Sequence, residues 1–258
     1  MTEFEKTLTG SSTVSTRDFD YNSAMSKKLF LFDLDWTVIY TGGAGIWALN
    51  HAFESRFQIP EAMKGISPDG KTDPAIIREM IKVHLKREAL QSEIDALCQS
   101  YVERLPVEVA KSPGYRILPG IPELLEALSK IPEVYIGLGT GNLKGGAAAK
   151  LARSSLGPYF KFGGFADDSE NRPDVLRAAV RRGEELAGEA IPPRQVIVIG
   201  DNFRDVLAGQ AIGAVTVAVA SGPMKYDQLA EHKPDFIFQD LSDTHRVLES
   251  LLDHSTQR

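Results

Sequence analysis

The sequence predicts an α/β protein: a Rossmann-like, doubly wound, mostly parallel sheet interrupted by an all-helical insert. Three observations lead there. Short runs that are apolar on both faces recur along the chain, each followed by a helical pattern; buried parallel strands and their crossover helices read this way. About a hundred residues separate the first run from the second, and they carry only helical periodicity, far more than one crossover needs. Acidic and hydroxyl residues stand where the runs end, and open α/β sheets bind their ligands at those ends.

The first run is Leu29 to Leu34 and the second Val134 to Gly139. Phe162 to Phe165 is a third, Gln195 to Ile199 a fourth, Val215 to Ala220 a fifth, and Phe236 to Phe238 a sixth at an edge. Helices fill the gaps. Pro122 suits a helix start, with Leu124, Leu125 and Leu128 on one face, and Val175, Ala179 and Val180 form another apolar stripe. In the insert, Ile46, Leu49, Phe53 and Phe57 make one stripe. Ile76, Ile77, Met80 and Ile81 make a second, with Asp73 expected as N-cap and Pro74 in the first turn. Ile94, Leu97, Cys98, Tyr101 and Leu105 make a third, with Cys98 read as a core residue and Trp47 as packing. The expected organisation is a tail over 1–27, a core over 28–42 and 112–258, and a helical domain over 43–111. Gly42, Gly43 and Gly45 on one side, and Pro113, Gly114, Pro119 and Gly120 on the other, supply hinges.

The net charge of −6 argues against a nucleic-acid partner, whose phosphates call for a basic surface. No apolar run reaches the length of a membrane span. The N-terminal segment carries Glu3, Glu5, Asp18 and Asp20 and lacks the apolar stretch of a signal peptide, and Met25 is an alternative start. The single cysteine fits a reducing, cytoplasmic setting. The five histidines have no zinc-site spacing.

The first run ends in Asp33-Leu34-Asp35-Trp36-Thr37, the second in Thr140-Gly141-Asn142, and the fourth in Gly200-Asp201-Asn202-Phe203-Arg204-Asp205. Carboxylates gathered at one sheet rim repel one another and raise each other's pKa values, unless a divalent cation joins them. An all-oxygen ligand set suits Mg²⁺.

With Arg172, these segments resemble the four ordered motifs of the haloacid dehalogenase superfamily, over about Leu29 to Leu252, and the insert resembles its C1-type cap. The resemblance to phosphoglycolate phosphatase-like members implies Mg²⁺-dependent hydrolysis of a small phosphorylated metabolite. Asp33 would be the nucleophile and Asp35 the acid and base. Thr140 and nearby N–H groups would hold the phosphoryl group. Gly141 and Asn142 are substrate-binding candidates, Asn142 either touching the substrate or only stabilising the turn. Arg172, where most members carry lysine, would neutralise charge. Asp33, the carbonyl of Asp35, and Asp201 would hold the metal, with Asp205 in or just outside that shell. An acid at position 35 fits an oxygen leaving group, whereas the dehalogenases of the family lack it.

Several readings stand side by side. Lys71, in the insert's Gly70-Lys71-Thr72-Asp73 loop, reaches the substrate or is a surface lysine; Thr72 and Asp73 read as helix caps. Arg172 is a site residue or a solvated helix-start charge, and Asp205 a site residue or a structural cap. Trp36 replaces the usual glycine, so it either reshapes the loop in an allowed region or crowds the cleft. That substitution motivates an alternative: a catalytically quiet phosphate- and metal-binding module. A phosphosugar mutase is a further alternative.

Overall fold

The computed structural model describes residues 26–253. The segment read as a tail, with Met25, lies outside the described residues except for Ser26 and Lys27.

Strand β1 (Lys28–Phe32) is buried at every position and lies between β4 (Val134–Gly139) and β6 (Val196–Gly200), parallel to both. Outward from these run β5 (Phe162–Gly164) on one side, and β7 (Val215–Val219) and β8 (Phe236–Phe238) on the other. The order is β5-β4-β1-β6-β7-β8, with every pairing parallel. Side chains alternate across a strand, and this splits the core into two layers. Phe30, Phe32, Ile197 and Ile199 face α4 (Ile121–Ser129) and α9 (Thr244–Asp253) through Leu124, Leu125, Leu128, Val247 and Leu251. Leu29, Leu31, Val196 and Val198 face α6 (Arg172–Ala187) and α7 (Phe203–Ala211) through Leu176, Ala179 and Ala208. Helix α5 (Lys144–Leu151) follows β4, and α8 (Tyr226–Ala230) follows β7.

The insert is helical, as α1 (Ala44–Phe57), α2 (Asp73–Leu85) and α3 (Gln91–Lys111). These share a core of their own that includes Phe53, Ile77, Met80, Tyr101 and Leu105. Cys98 is half-buried beside it. Trp47 and Ile46 depart from the expected packing: they are 41% and 39% exposed. Ile46 lines the cavity under the insert instead.

A two-stranded antiparallel ribbon, β2 (Ile39–Thr41) with β3 (Tyr115–Ile117), ties the two ends of the insert together. The apolar runs did not reveal it, because each strand is only three residues long. Helix α2 also starts differently from expectation. Its N-cap is Thr72, and neither Thr72 nor Asp73 caps with its side chain. Asp73 is the first helical residue, and its carboxylate is used elsewhere.

Candidate active site

The site sits at the carboxyl ends of β1, β4 and β6. Asp33 follows β1, and its N–H donates to the Ile199 carbonyl at 2.8 Å, carrying the sheet ladder one residue further. Thr140 follows β4 and is fixed likewise by its N–H to the Gly164 carbonyl at 3.1 Å. Asp201 follows Gly200, the last residue of β6. Oxygens of Asp33, Asp201 and Asp205 all lie within 4.8 Å of one another.

Arg172, the first residue of α6, is buried and is no solvated charge. Its Nη2 donates to Asp205 Oδ1, to the Gly139 carbonyl at 3.1 Å and to Asp33 Oδ1 at 3.4 Å. Its Nε and Nη1 are buried with no hydrogen-bond partner among the described residues. Asp205 also closes a capping box on α7, its Oδ2 accepting from the Asn202 N–H at 3.3 Å while Asn202 Oδ1 accepts from the Arg204 N–H at 3.1 Å. Asp205 is therefore engaged through both oxygens. Asp201 forms no ion pair among the described residues.

Burial, then the Asp205 charge, pushes the Asp33 carboxyl up to about 7, against the pull of Arg172 and of the Thr140 hydroxyl. Burial, then Asp205, Asp33 and Asp35, raises Asp201 well above the ordinary carboxylate range. Two buried acids are thus held against their charged forms, and the one guanidinium present is shared by Asp33 and Asp205 and does not pair with Asp201. A hard divalent cation would fit this oxygen donor set and would supply the missing positive charge.

Asp35, about a third exposed, faces a second cation that the sequence reading missed. Lys150 on α5 is 5% exposed and donates to Asp35 Oδ2 at 2.6 Å and to Asn142 Oδ1 at 2.5 Å. Asn142 Nδ2 donates to the same Asp35 oxygen at 2.9 Å and to Thr140 Oγ1 at 2.8 Å. Burial works to lower the Lys150 pKa, but Asp35, Tyr101 and Asp73 outweigh it and the net shift is upward, so the ammonium is retained. The signal available in the sequence was position: Lys150 lies between Ala147 and Leu151, both buried on one face of α5.

The insert closes over these groups. The Asp73 N–H donates to the Gly141 carbonyl at 2.8 Å, and Asp73 Oδ2 accepts from the Leu143 N–H at 2.8 Å. The Lys71 carbonyl rests on the Cα of Gly141, where a Cβ would collide with it. Arg204 donates to the Asp69 carbonyl at 2.9 Å. Lys71 lines the cavity, with its ammonium paired to Glu79 of α2. Gly141 and Asn142 line it as well, and their polar groups serve this insert–core contact and the Asp35 network. The cavity is about 120 Å³, with Ile46, Leu49, Ile76 and Tyr101 on the insert side and Asp33, Thr140 and Lys150 beneath.

Trp36 keeps the tight turn after Asp35 by adopting the left-handed region, φ 60°, where glycine would sit, and it forms part of the cavity wall. Its N–H donates to the Ile39 carbonyl at 2.8 Å, and Ser221 Oγ donates to its carbonyl at 2.6 Å. The ring stacks on Tyr40, and the Arg116 guanidinium lies over both rings.

Comparison with known proteins gives consistent results. Residues 30–219 match the model of the haloacid dehalogenase-like hydrolases. The pyrophosphatase PpaX of Bacillus pumilus (strain SAFR-032) is 25% identical over 226 residues, spanning 83% of this chain and 92% of its own. Among solved structures, a hydrolase from Pseudomonas syringae superposes with a TM-score of 0.67 at 21% identity, covering 87% of this chain and 99% of its own. CbbY from Rhodobacter sphaeroides, solved in complex with phosphate, gives a TM-score of 0.67 at 18% identity over 88% and 99%. Sequence, fold and site geometry agree, and this chain belongs to the haloacid dehalogenase-like hydrolase family.

Proposed function

We propose that the protein hydrolyses small phosphate esters or anhydrides with Mg²⁺, through an aspartyl-phosphate on Asp33. The observation that carries this reading is the placement of Asp33. Its carboxylate ends the central strand, faces the cavity, and lies beside both Arg172 and an acid, Asp201, that forms no ion pair among the described residues. The pyrophosphatase named among the relatives is consistent with it.

In this reading Asp33, Asp201 and the backbone carbonyl of Asp35 would hold Mg²⁺, with Asp205, already bound by Arg172, at its edge. When bound, the ion shields the charge of the carboxylates and the phosphoryl oxygens. An Asp33 oxygen attacks phosphorus as the bond to the leaving oxygen breaks, and Asp35 gives that oxygen a proton. A water then attacks phosphorus and gives Asp35 its proton, and the bond to Asp33 breaks, restoring the carboxylate and releasing inorganic phosphate. Arg172 holds Asp33 in place, and Thr140 borders the transferring group. The insert excludes bulk water, which strengthens every electrostatic contact within. For Lys71 to reach a substrate it would first have to leave Glu79. No helix of the described residues is long and apolar enough to cross a membrane, and the single cysteine supports a cytoplasmic setting.

The test is release of inorganic phosphate from small phosphoesters and pyrophosphate, with Mg²⁺ and no bisphosphate activator. Turnover is expected for the wild type, with none for Asp33→Asn and none in EDTA. Equal rates for the wild type and Asp33→Asn would refute the nucleophile. A strict need for a bisphosphate activator would favour the mutase.

A further inference from the structure

Lys150 is an unusual residue to find inside this protein. Its helix reads Lys144-Gly145-Gly146-Ala147-Ala148-Ala149-Lys150-Leu151, and a side chain of that length among small and apolar neighbours would pack more cheaply as methionine. A buried ammonium is costly unless its three donors are used. Two are used at short range, on Asp35 Oδ2 at 2.6 Å and on Asn142 Oδ1 at 2.5 Å. Tyr101 of α3, in the insert, lines the same cavity beside this ammonium.

The consequence falls on Asp35. Lys150 and Asn142 both donate to Oδ2, and among the described residues no donor reaches Oδ1. A carboxyl on a flexible side chain, a third exposed at the cavity wall, is thereby held by one oxygen, with the other free. Asn142 alone would do this less well, because its amide is itself fixed in place by Lys150 on Oδ1 and by Thr140 on Nδ2.

We propose that Lys150 is a positioning residue for the proton transfer at Asp35: by pinning Oδ2 it presents Oδ1 to the leaving oxygen. This inference rests on the hydrolase reading above. It differs from a structural role in one measurable respect. A group that acts through the general acid matters most when the leaving oxygen is a strong base and needs a proton, and least when it departs readily as an anion. Loss of packing would slow both substrates alike.

The experiment compares kcat/KM, which covers the steps through transfer to Asp33, for an alkyl phosphate and for 4-nitrophenyl phosphate. It uses the full chain with Mg²⁺, as wild type, Lys150→Met and Lys150→Gln, with the thermal midpoint of each. Since general acid catalysis is worth about 10²- to 10⁴-fold, Lys150→Met is expected to lose at least about tenfold more on the alkyl ester than on the nitrophenyl ester. Lys150→Gln, which keeps a donor without the charge, is expected to lose less of that selectivity, and it decides the question if Lys150→Met does not fold. An equal loss on both esters, or no loss on either, would overturn the positioning role while leaving the hydrolase reading intact, provided the wild type turns over and Asp33→Asn does not. A wild type that releases no phosphate would overturn both.

Discussion

Trp36 stacks on Tyr40 with ring centroids 3.9 Å apart and planes inclined by 25°. This contact explains how a tryptophan occupies a left-handed turn at the centre of the site. The backbone conformation costs about 1 kcal/mol or somewhat more for a residue with a Cβ. The aromatic pair returns about 1 kcal/mol, and the Arg116 guanidinium over both rings adds about 0.5–1 kcal/mol. Trp36→Gly relieves the strain, forfeits the stack and adds chain entropy to the unfolded state. A net destabilisation of about 1 kcal/mol is expected in urea unfolding, with kcat/KM within about tenfold of the wild type because the turn itself survives. Activity present in Trp36→Gly and absent from the wild type would restore the quiet-module reading.

Among the described residues, Arg172 makes all its hydrogen bonds through one nitrogen and leaves two buried nitrogens unpartnered. A lysine could supply that single donor point without the orphans, each of which costs about 1–3 kcal/mol when buried. Arg172→Lys is therefore expected to keep activity within about tenfold and to match or exceed wild-type stability. Arg172→Met leaves Asp33 and Asp205 without their cation and should cost about 3–5 kcal/mol. Equilibrium unfolding beside steady-state kinetics checks both. An Arg172→Lys protein as damaged as Arg172→Met would mean that the guanidinium fork itself is required.

Asp73 joins insert and core, and burial raises its carboxyl from 3.8 to about 6, with Lys150 opposing. Below pH 3.8 the folded and unfolded chains are both protonated at this site, and the shift costs nothing. As pH rises from there to about 6 the unfolded chain ionises first, so stability falls; the loss is complete above about 6 and amounts to about 3 kcal/mol. Asparagine can still accept from the Leu143 N–H. Asp73→Asn should equal the wild type near pH 4 and exceed its stability near pH 7.5, read from unfolding midpoints across that range. A wild type that gains stability over the same window relative to Asp73→Asn would contradict the assignment.

The raised acids Asp33 and Asp201 make a cation effect on stability expected, with a definite pH dependence. In the metal-free protein their ionisation opposes folding, and the Asp33 part of that penalty grows as pH rises from its ordinary range through about 7. Mg²⁺ at a hundred times its dissociation constant should stabilise the protein by about 2.7 kcal/mol near neutral pH, and by less at pH 5, where protons compete for the same oxygens. Calorimetric midpoints with and without Mg²⁺ measure this. Asp201→Asn should remove most of the shift, and an unchanged shift in that variant would place the ion elsewhere.

The core and the location of the site were legible because they follow from local rules. Leu29 to Phe32 is apolar on both faces because β1 is buried on both faces, and Asp33, Thr140 and Asp201 stand where apolar runs end. The insert was visible as three helical stripes. What was not legible depends on contacts distant in sequence. The Asp73–Leu143 hydrogen bond joins positions 70 apart, so Asp73 read as a cap. Lys150 lies 115 positions from Asp35, and a lysine in a Gly/Ala-rich helix reads as a surface charge. The β2–β3 ribbon is too short to show a period of two. The conformation of Trp36 is set by Tyr40, Arg116 and Ser221 together, and no residue-level preference anticipates a tryptophan there.

The central claim is that Asp33 carries the phosphoryl group. It is tested most directly by quenching the enzyme with acid during turnover with Mg²⁺ and substrate, reducing any acyl phosphate with borohydride, and sequencing the peptides by mass spectrometry. Conversion at Asp33 is expected, dependent on substrate and absent once substrate is exhausted. Conversion at a different carboxylate, or undiminished turnover by Asp33→Asn, would contradict the account.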